Sequence, residues 1–240
     1  MSELQAQIDD LVSANHILFH HGVVDGYGHI SFRSPANPQR FFMAAALAPG
    51  RVTAPDILEH DLDGNLVNEE ERPTYSERFI HAEIYRVRAD VNSVVHSHSP
   101  AVIPFSVTTV PLKGIINQVA FMHGDAPVFN SRLVPEAKTP LVDSPAIGKV
   151  LAGILGENNI VLMRGHGDTV VGPNIRETVS RAIYTEVNAR LLLQTLSLGA
   201  PIEYLDPDEM RNMTQSGRRT VGTSHGVDRI WHMWLDELVH

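Results

Sequence analysis

The chain has 240 residues with a formal net charge of -9, 43% apolar and 20% charged residues, and no cysteine. That apolar share supports a sizeable core and excludes a disordered chain, and an acidic balance with no basic stripe excludes a nucleic-acid footprint. Apolar runs break within about a dozen residues, too early for a membrane span, and MSELQAQIDD lacks the basic-then-apolar order of a signal peptide, so a cytoplasmic location is expected.

Leu4, Ile8, Leu11, Val12, Asn15 and Leu18 recur at helical spacing over residues 3–21, with Ser2 and Gln5 placed as a capping box and Gly22 as the stop. GYGHISFR, residues 26–33, alternates as a strand entered through a glycine turn, and a second strand is expected around Phe41 to Met43. Thr53 to Leu58 reads as a short helix capped by Thr53, and DLDGNLV (61–67) as a hairpin or tight loop. The acidic run Glu69 to Glu71 reads as a solvated loop. Thr74 and Glu77 form a TxxE capping pattern before a helix that reaches about Arg88, with Phe79, Ile80, Ile84 and Val87 as its inward stripe.

Val91 to His96 follows as a strand, and residues 101–122 and 126–142 read as short strands and loops broken by Pro and Gly. Ser144 and Pro145 start a helix that ends near Gly156. Asn159 to Met163 is an apolar strand, GHG interrupts, and Asp168 to Val171 resumes. Asn174 caps a long helix from about Ile175 to Ser197, amphipathic through Val179, Ile183, Val187 and Leu191. Residues 200–240 read as a polar C-terminal tail that ends in the amphipathic RIWHMWLDEL. No repeat or linker divides the chain, so residues 1–240 are expected to form one three-layer α/β domain.

Without thiolates, a metal must be held by His, Asp or Glu, and the chain has 13 histidines. His96 and His98 sit at a strand end, where alternation puts both rings on one side with Cα atoms about 6–7 Å apart. That suits two ligands of one cation, although such a pair also occurs as ordinary surface polarity. His166, between Gly165 and Gly167, is costly in a tight turn between apolar strands unless it is ligated or bonded to backbone. Glu77 has two readings, capping residue or acid/base and fourth ligand. Gly26, Gly28, His29 and Ser31 form a turn that could offer backbone N–H groups to an anion. No GxGxxG, GKS or nucleophile-elbow pattern is present, which disfavours nucleotide cofactors and acyl-enzyme chemistry. His225, Arg229, Trp231, His232 and Trp234 either cover a site or dock an amphipathic helix.

Taken in order, GYGHISFR, APGRVTAPDI with DLDGN (48–65), YSERFIHAEIYRVRADVNSVVHSHSP (75–100) and NIVLMRGHGDTVVG (159–172) resemble the class II aldolase/adducin family. The resemblance implies a three-layer α/β/α fold with a mixed, largely antiparallel sheet. It also implies a divalent cation on His96, His98 and His166, Glu77 as acid/base that sometimes touches the metal, and a homotetramer with active sites between subunits.

Where sugar-phosphate members carry a phosphate-binding Asn, a Thr-Gly pair and a Ser-Ser pair, this chain has His29, Leu47-Ala48-Pro49 and Tyr75-Ser76. That departure argues against a phosphosugar. The wording instead is similar to the decarboxylase branch, which acts on ortho-hydroxy aromatic or pyridine dicarboxylates and carboxy-muconic semialdehydes. Catalytic roles then fall to Glu77 and His29, and substrate contacts to Gly28, His29, Ser31, Arg51, Arg78 and Arg164, with Arg33 and Arg132 as further carboxylate candidates. Manganese is expected ahead of zinc, with cobalt or iron as alternatives. An aldolase acting on a non-phosphorylated hydroxy-keto acid and an adducin-like interaction module are the rival readings.

Overall fold

The computed structural model describes residues 2–68, 71–215 and 224–239, so Glu69 and Glu70 of the acidic run lie outside the described residues. Helix α1 (Glu3–His20) starts where Ser2 accepts a hydrogen bond from the Gln5 amide. Only half of the expected capping box forms, because the Gln5 side chain turns to Asp9. Strands β1 (His29–Arg33), β2 (Arg40–Ala44) and β3 (Ile57–Asp61) follow as an antiparallel meander. The Thr53/Asp56 box caps only a 3-10 turn over Ala54–Asp56, and the chain then straightens into β3 where a longer helix was expected.

Helix α2 (Arg78–Val87) begins four residues after Thr74, so Thr74 is not its cap, and Glu77 itself occupies the N-cap position without capping. Phe79, Ile80 and Ile84 are buried as the spacing requires, whereas Val87 is exposed. After β4 (Ser93–Ser97), residues 101–122 and 126–142, expected as short strands and loops, keep the loops but only one short strand. They hold α3 (Ile103–Ser106), 3-10 turns at Asn117–Met122 and Ser131–Leu133, and the two-residue β5 (Val128–Phe129). Prolines 104, 111, 127, 135 and 140 remove the amide donors that longer ladders need.

Helix α4 (Pro145–Leu155), the hairpin β6 (Ile160–Met163) and β7 (Gly167–Gly172), and α5 (Ile175–Ser197) match the sequence reading closely, with Ser144 and Asn174 as N-caps. Helices α6 (Pro207–Gln215) and α7 (Ser224–Glu237) complete the described residues.

Among the described residues the sheet has seven strands in the order β3-β2-β1-β4-β7-β6-β5, antiparallel except for the β5–β6 pair. Alternation splits its side chains between two cores. Ile30, Phe32, Val95, Leu162 and Val170 face α1, α5 and α7. Phe41, Met43, Val94, Val161 and Val171 face α2 and α4. The result is a three-layer α/β/α arrangement. Trp231 is fully buried in the first core and Trp234 nearly so, which makes α7 a docked helix rather than a loose tail; the side chain of His225 lies outside the described residues. No helix among the described residues is long and apolar enough to cross a membrane.

Candidate metal centre

Strand register assembles the site. In the β1–β4 ladder His29 stands opposite His96, and in β4–β7 Ser97 stands opposite Asp168, which brings the end of β4 beside the β6–β7 turn. His96 shares the parity of Val94 and so faces the α2 layer, where the head of α2 presents Glu77. The ligand atoms of Glu77, His96, His98 and His166 lie within 4.8 Å of one another. Ring centroids of the three histidines are 4.8 to 5.1 Å apart.

Three of the four groups are oriented by a hydrogen-bonded neighbour. His96 Nδ1 donates to the Asp168 carbonyl at 3.0 Å and His166 Nδ1 to the Pro140 carbonyl at 3.2 Å, so both rings present Nε2 as a lone pair. Glu77 Oε1 accepts from the Val142 amide at 2.9 Å, leaving Oε2 at 3.5 Å from His96 Nε2 and 3.4 Å from His166 Nε2. The Nε2 atoms of His96, His98 and His166 are buried without a hydrogen-bond partner among the described residues. Each such atom costs about 1–3 kcal/mol if left unsatisfied. One cation would satisfy all three.

The electrostatics agree. Burial raises the Glu77 carboxyl, but the facing His166 and His96 outweigh it and hold it well below the usual carboxylate range. Burial, then His96 and His166, push His98 down to about 4, which keeps its ring neutral. Burial lowers His166, yet Glu77 prevails and raises it above its ordinary value. The carboxylate thus draws positive charge to this point, and a divalent cation meets that demand better than one proton. Three imidazoles and a carboxylate fit a borderline divalent ion.

A cavity of about 400 Å3 opens beside the cluster, lined by Tyr27, Gly28, His29, Tyr75, Ser76, Glu77, His98 and Leu141. Gly28, at φ 91°, is required: a Cβ there would lie 2.6 Å from Val24 and 3.1 Å from the His96 carbonyl. Gly167 is needed for a close approach of two strands. Its missing Cβ lets β7 lie against β4, where that atom would be 1.9 Å from the Ser97 carbonyl oxygen.

Several sequence candidates lie away from this cavity. Ser31 is fully buried under the site, bonded to His81 and Tyr85. Arg78 is engaged with the Gly64 and Tyr75 carbonyls, and Arg33 with four carbonyls. Arg164 donates to Asn130 in a separate exposed hollow shared with Val107, Val128 and Leu133, and Arg51 is exposed in a 3-10 turn. Arg132 lies in another exposed 3-10 turn.

Conversely, Tyr27, Tyr75, Leu141 and His81 entered no candidate set although they line or underlie the site. The signal for His81 was present: Glu77, His81 and Tyr85 recur every four residues, a polar stripe on a helix face that is otherwise buried and apolar.

A three-histidine, one-carboxylate cluster at a sheet end, inside a three-layer α/β/α fold, defines a class of metal-centred proteins. Residues 9–193 match the family model for the Class II Aldolase and Adducin N-terminal domain, and this chain belongs to that family. It is 34% identical to Decarboxylase tropJ of Talaromyces stipitatus, over 95% of this chain and 92% of that one. Against 3,4-dihydroxyphthalate decarboxylase of Arthrobacter keyseri it is 30% identical, over 91% of each. An aldolase II superfamily protein from Pseudomonas syringae shares the fold, with TM-score 0.79 at 20% identity over 99% of this chain and 94% of that one.

Proposed function

We propose that this chain is a metal-dependent carboxy-lyase that removes carbon dioxide from an ortho-hydroxy aromatic or pyridine dicarboxylate, or from a related carboxy-muconic semialdehyde. One observation carries the substrate class. His29, Tyr75 and Leu47, at the family's phosphate-binding positions, engage one another: the His29 and Tyr75 rings lie 4.6 Å apart, and the Tyr75 hydroxyl donates to the Leu47 carbonyl. With the Tyr75 hydroxyl spent on a carbonyl and His29 Nδ1 on His81, these positions offer the single nitrogen His29 Nε2 where a phosphate needs several donors, whereas a cavity bounded by Tyr27, His29, Tyr75 and Leu141 suits a flat ring. The two decarboxylases to which the chain is similar over most of its length support the same reading.

His96, His98, His166 and Glu77 are the proposed ligands, with manganese ahead of zinc. A bound divalent cation supplies a Lewis acid for the electron pair left when carbon dioxide departs. Glu77, ionised and held by the Val142 amide, orients at the cluster and takes the proton of the substrate hydroxyl. His29, on the cavity wall, delivers a proton to the ring carbon that lost its carboxylate and regains one from solvent through the cavity. Arg164, in its exposed hollow with Val107, Val128 and Leu133, is the proposed carboxylate partner, reached across a subunit boundary of the proposed homotetramer.

The test is carbon dioxide release by manganese-loaded protein against a panel of ortho-hydroxy aromatic and pyridine dicarboxylates, with Glu77→Gln as control. The amide still accepts from Val142 but carries no charge, so release should fall at least about 100-fold. Equal release by both proteins removes Glu77 from the chemistry. Pyruvate formed from a hydroxy-keto acid without carbon dioxide selects the aldolase instead.

A further inference from the structure

Beneath the cavity, four buried side chains form a continuous hydrogen-bonded line from the site into α2. His29 Nδ1 lies 2.7 Å from His81 Nε2, His81 Nδ1 lies 2.6 Å from Ser31 Oγ, and Ser31 Oγ lies 2.7 Å from the Tyr85 hydroxyl. His81 and Ser31 are completely buried, Tyr85 and His29 very nearly so. None of the four is a proposed metal ligand. The line exists because β1 places His29 and Ser31 on the face towards α2, while α2 brings His81 and Tyr85 into register one turn apart.

Counting protons gives the line a direction. Among the described residues the Tyr85 hydroxyl has one partner, Ser31 Oγ, and a buried O–H must donate. Ser31 therefore accepts from Tyr85, and its own single proton goes to the remaining neighbour, His81 Nδ1. Only one proton fits between His29 Nδ1 and His81 Nε2, 2.7 Å apart. With Nδ1 accepting, the His81 proton sits on Nε2 and is donated to His29 Nδ1. The His29 proton is then left on Nε2, which has no partner among the described residues and belongs to a ring that lines the cavity. The opposite direction would leave the Tyr85 proton buried with no acceptor, at about 1–3 kcal/mol.

We infer that Tyr85, Ser31 and His81 are positioning residues that act as a one-way hydrogen-bond chain, fixing His29 as the Nε2–H tautomer with its proton presented to the substrate. The inference rests on the reading of His29 as the proton donor, and it adds how a neutral histidine is kept in the donating form. An imidazole free to choose would present a lone pair to the cavity part of the time. The chain removes that option without placing a charge beside the cation site.

Nitrogen-15 spectra of histidine-labelled, zinc-loaded protein test the chain without substrate. In the unaltered protein His29 should show a pyridine-type Nδ1 and a pyrrole-type Nε2. Tyr85→Phe removes one oxygen from a buried ring and frees the direction of the chain, so both His29 nitrogens should move to intermediate shifts. A pyrrole-type Nδ1 in the unaltered protein, or a tautomer indifferent to Tyr85→Phe, overturns the proposal.

Turnover supplies the second arm. His81→Phe should lower kcat about 10-fold with KM little changed, because the proton is needed after binding. His81→Gln, whose amide can still donate to His29 Nδ1, should recover most of that loss. Tautomers that respond as stated while kcat stays constant in His81→Phe support the chain but sink the role of His29 in the reaction, so the two failures are distinguishable.

Discussion

Removing the cation should destabilise this protein by a readable amount. Three buried Nε2 atoms, on His96, His98 and His166, have no hydrogen-bond partner among the described residues, and Glu77 faces two of them across 3.4 to 3.5 Å. At about 1–3 kcal/mol for each unsatisfied nitrogen, metal-free protein carries a cost of several kcal/mol that ligation relieves. Cation at about 100 times its Kd adds about 2.7 kcal/mol to stability. For a chain of this length each kcal/mol moves Tm by about 2–4 °C, so chelation should lower Tm by about 5–11 °C.

His98→Ala is the informative variant, because His98 is only part-buried and its loss leaves the second core untouched. It should abolish stoichiometric metal in elemental analysis and shrink the chelator-dependent shift to about 2 °C or less. Scanning calorimetry with and without chelator, on both proteins, measures this. Identical melting of chelated and manganese-loaded protein, or full metal retention in His98→Ala, would refute the assignment of the centre.

Two further predictions concern the scaffold. Gly167→Ala places a Cβ 1.9 Å from the Ser97 carbonyl oxygen and must push β7 off β4; we expect a loss of about 3 kcal/mol in urea titration, and an unchanged midpoint would mean that the close approach is not needed. His60 is fully buried and stacked on Phe41, with neither ring nitrogen hydrogen-bonded, and burial lowers it to about 4 from the ordinary 6.5. Between those two values the unfolded chain binds the extra proton, so stability is present above pH 6.5 and is lost as pH falls towards 4, amounting to about 2 kcal/mol at pH 5. His60→Phe keeps the stack and should lose about 2 kcal/mol less than the unaltered protein between pH 8 and pH 5; parallel losses in the two would exclude His60 as the cause.

The legible parts of the sequence were those in which local pattern and tertiary demand coincide. Ser144-Pro145 and Asn174 cap their helices in the structure as in the sequence, and the two-residue period at the end of β4 put His96 and His98 on one side. Glu77 was ambiguous because TxxE is a helix start in most settings. Here the chain stays non-helical through Thr74, and the carboxylate is committed to Val142 and the histidine cluster. Over residues 101–122 and 126–142 the Pro and Gly breaks were legible, but the β-branched content suggested short strands where the chain mostly forms short helical turns. The arginines were read by charge alone, and Arg33 and Arg78 show how readily a guanidinium is taken up by backbone carbonyls.

The centre is gathered from the head of α2, the end of β4 and the turn before β7, segments that lie far apart along the chain. During synthesis, Glu77, His96 and His98 leave the ribosome well before His166 does, and the β4–β7 ladder that brings them together cannot form until β7 has emerged. A cation held by this cluster would therefore be captured late, once the middle of the sheet has closed, because a chain halted earlier presents Glu77, His96 and His98 without His166.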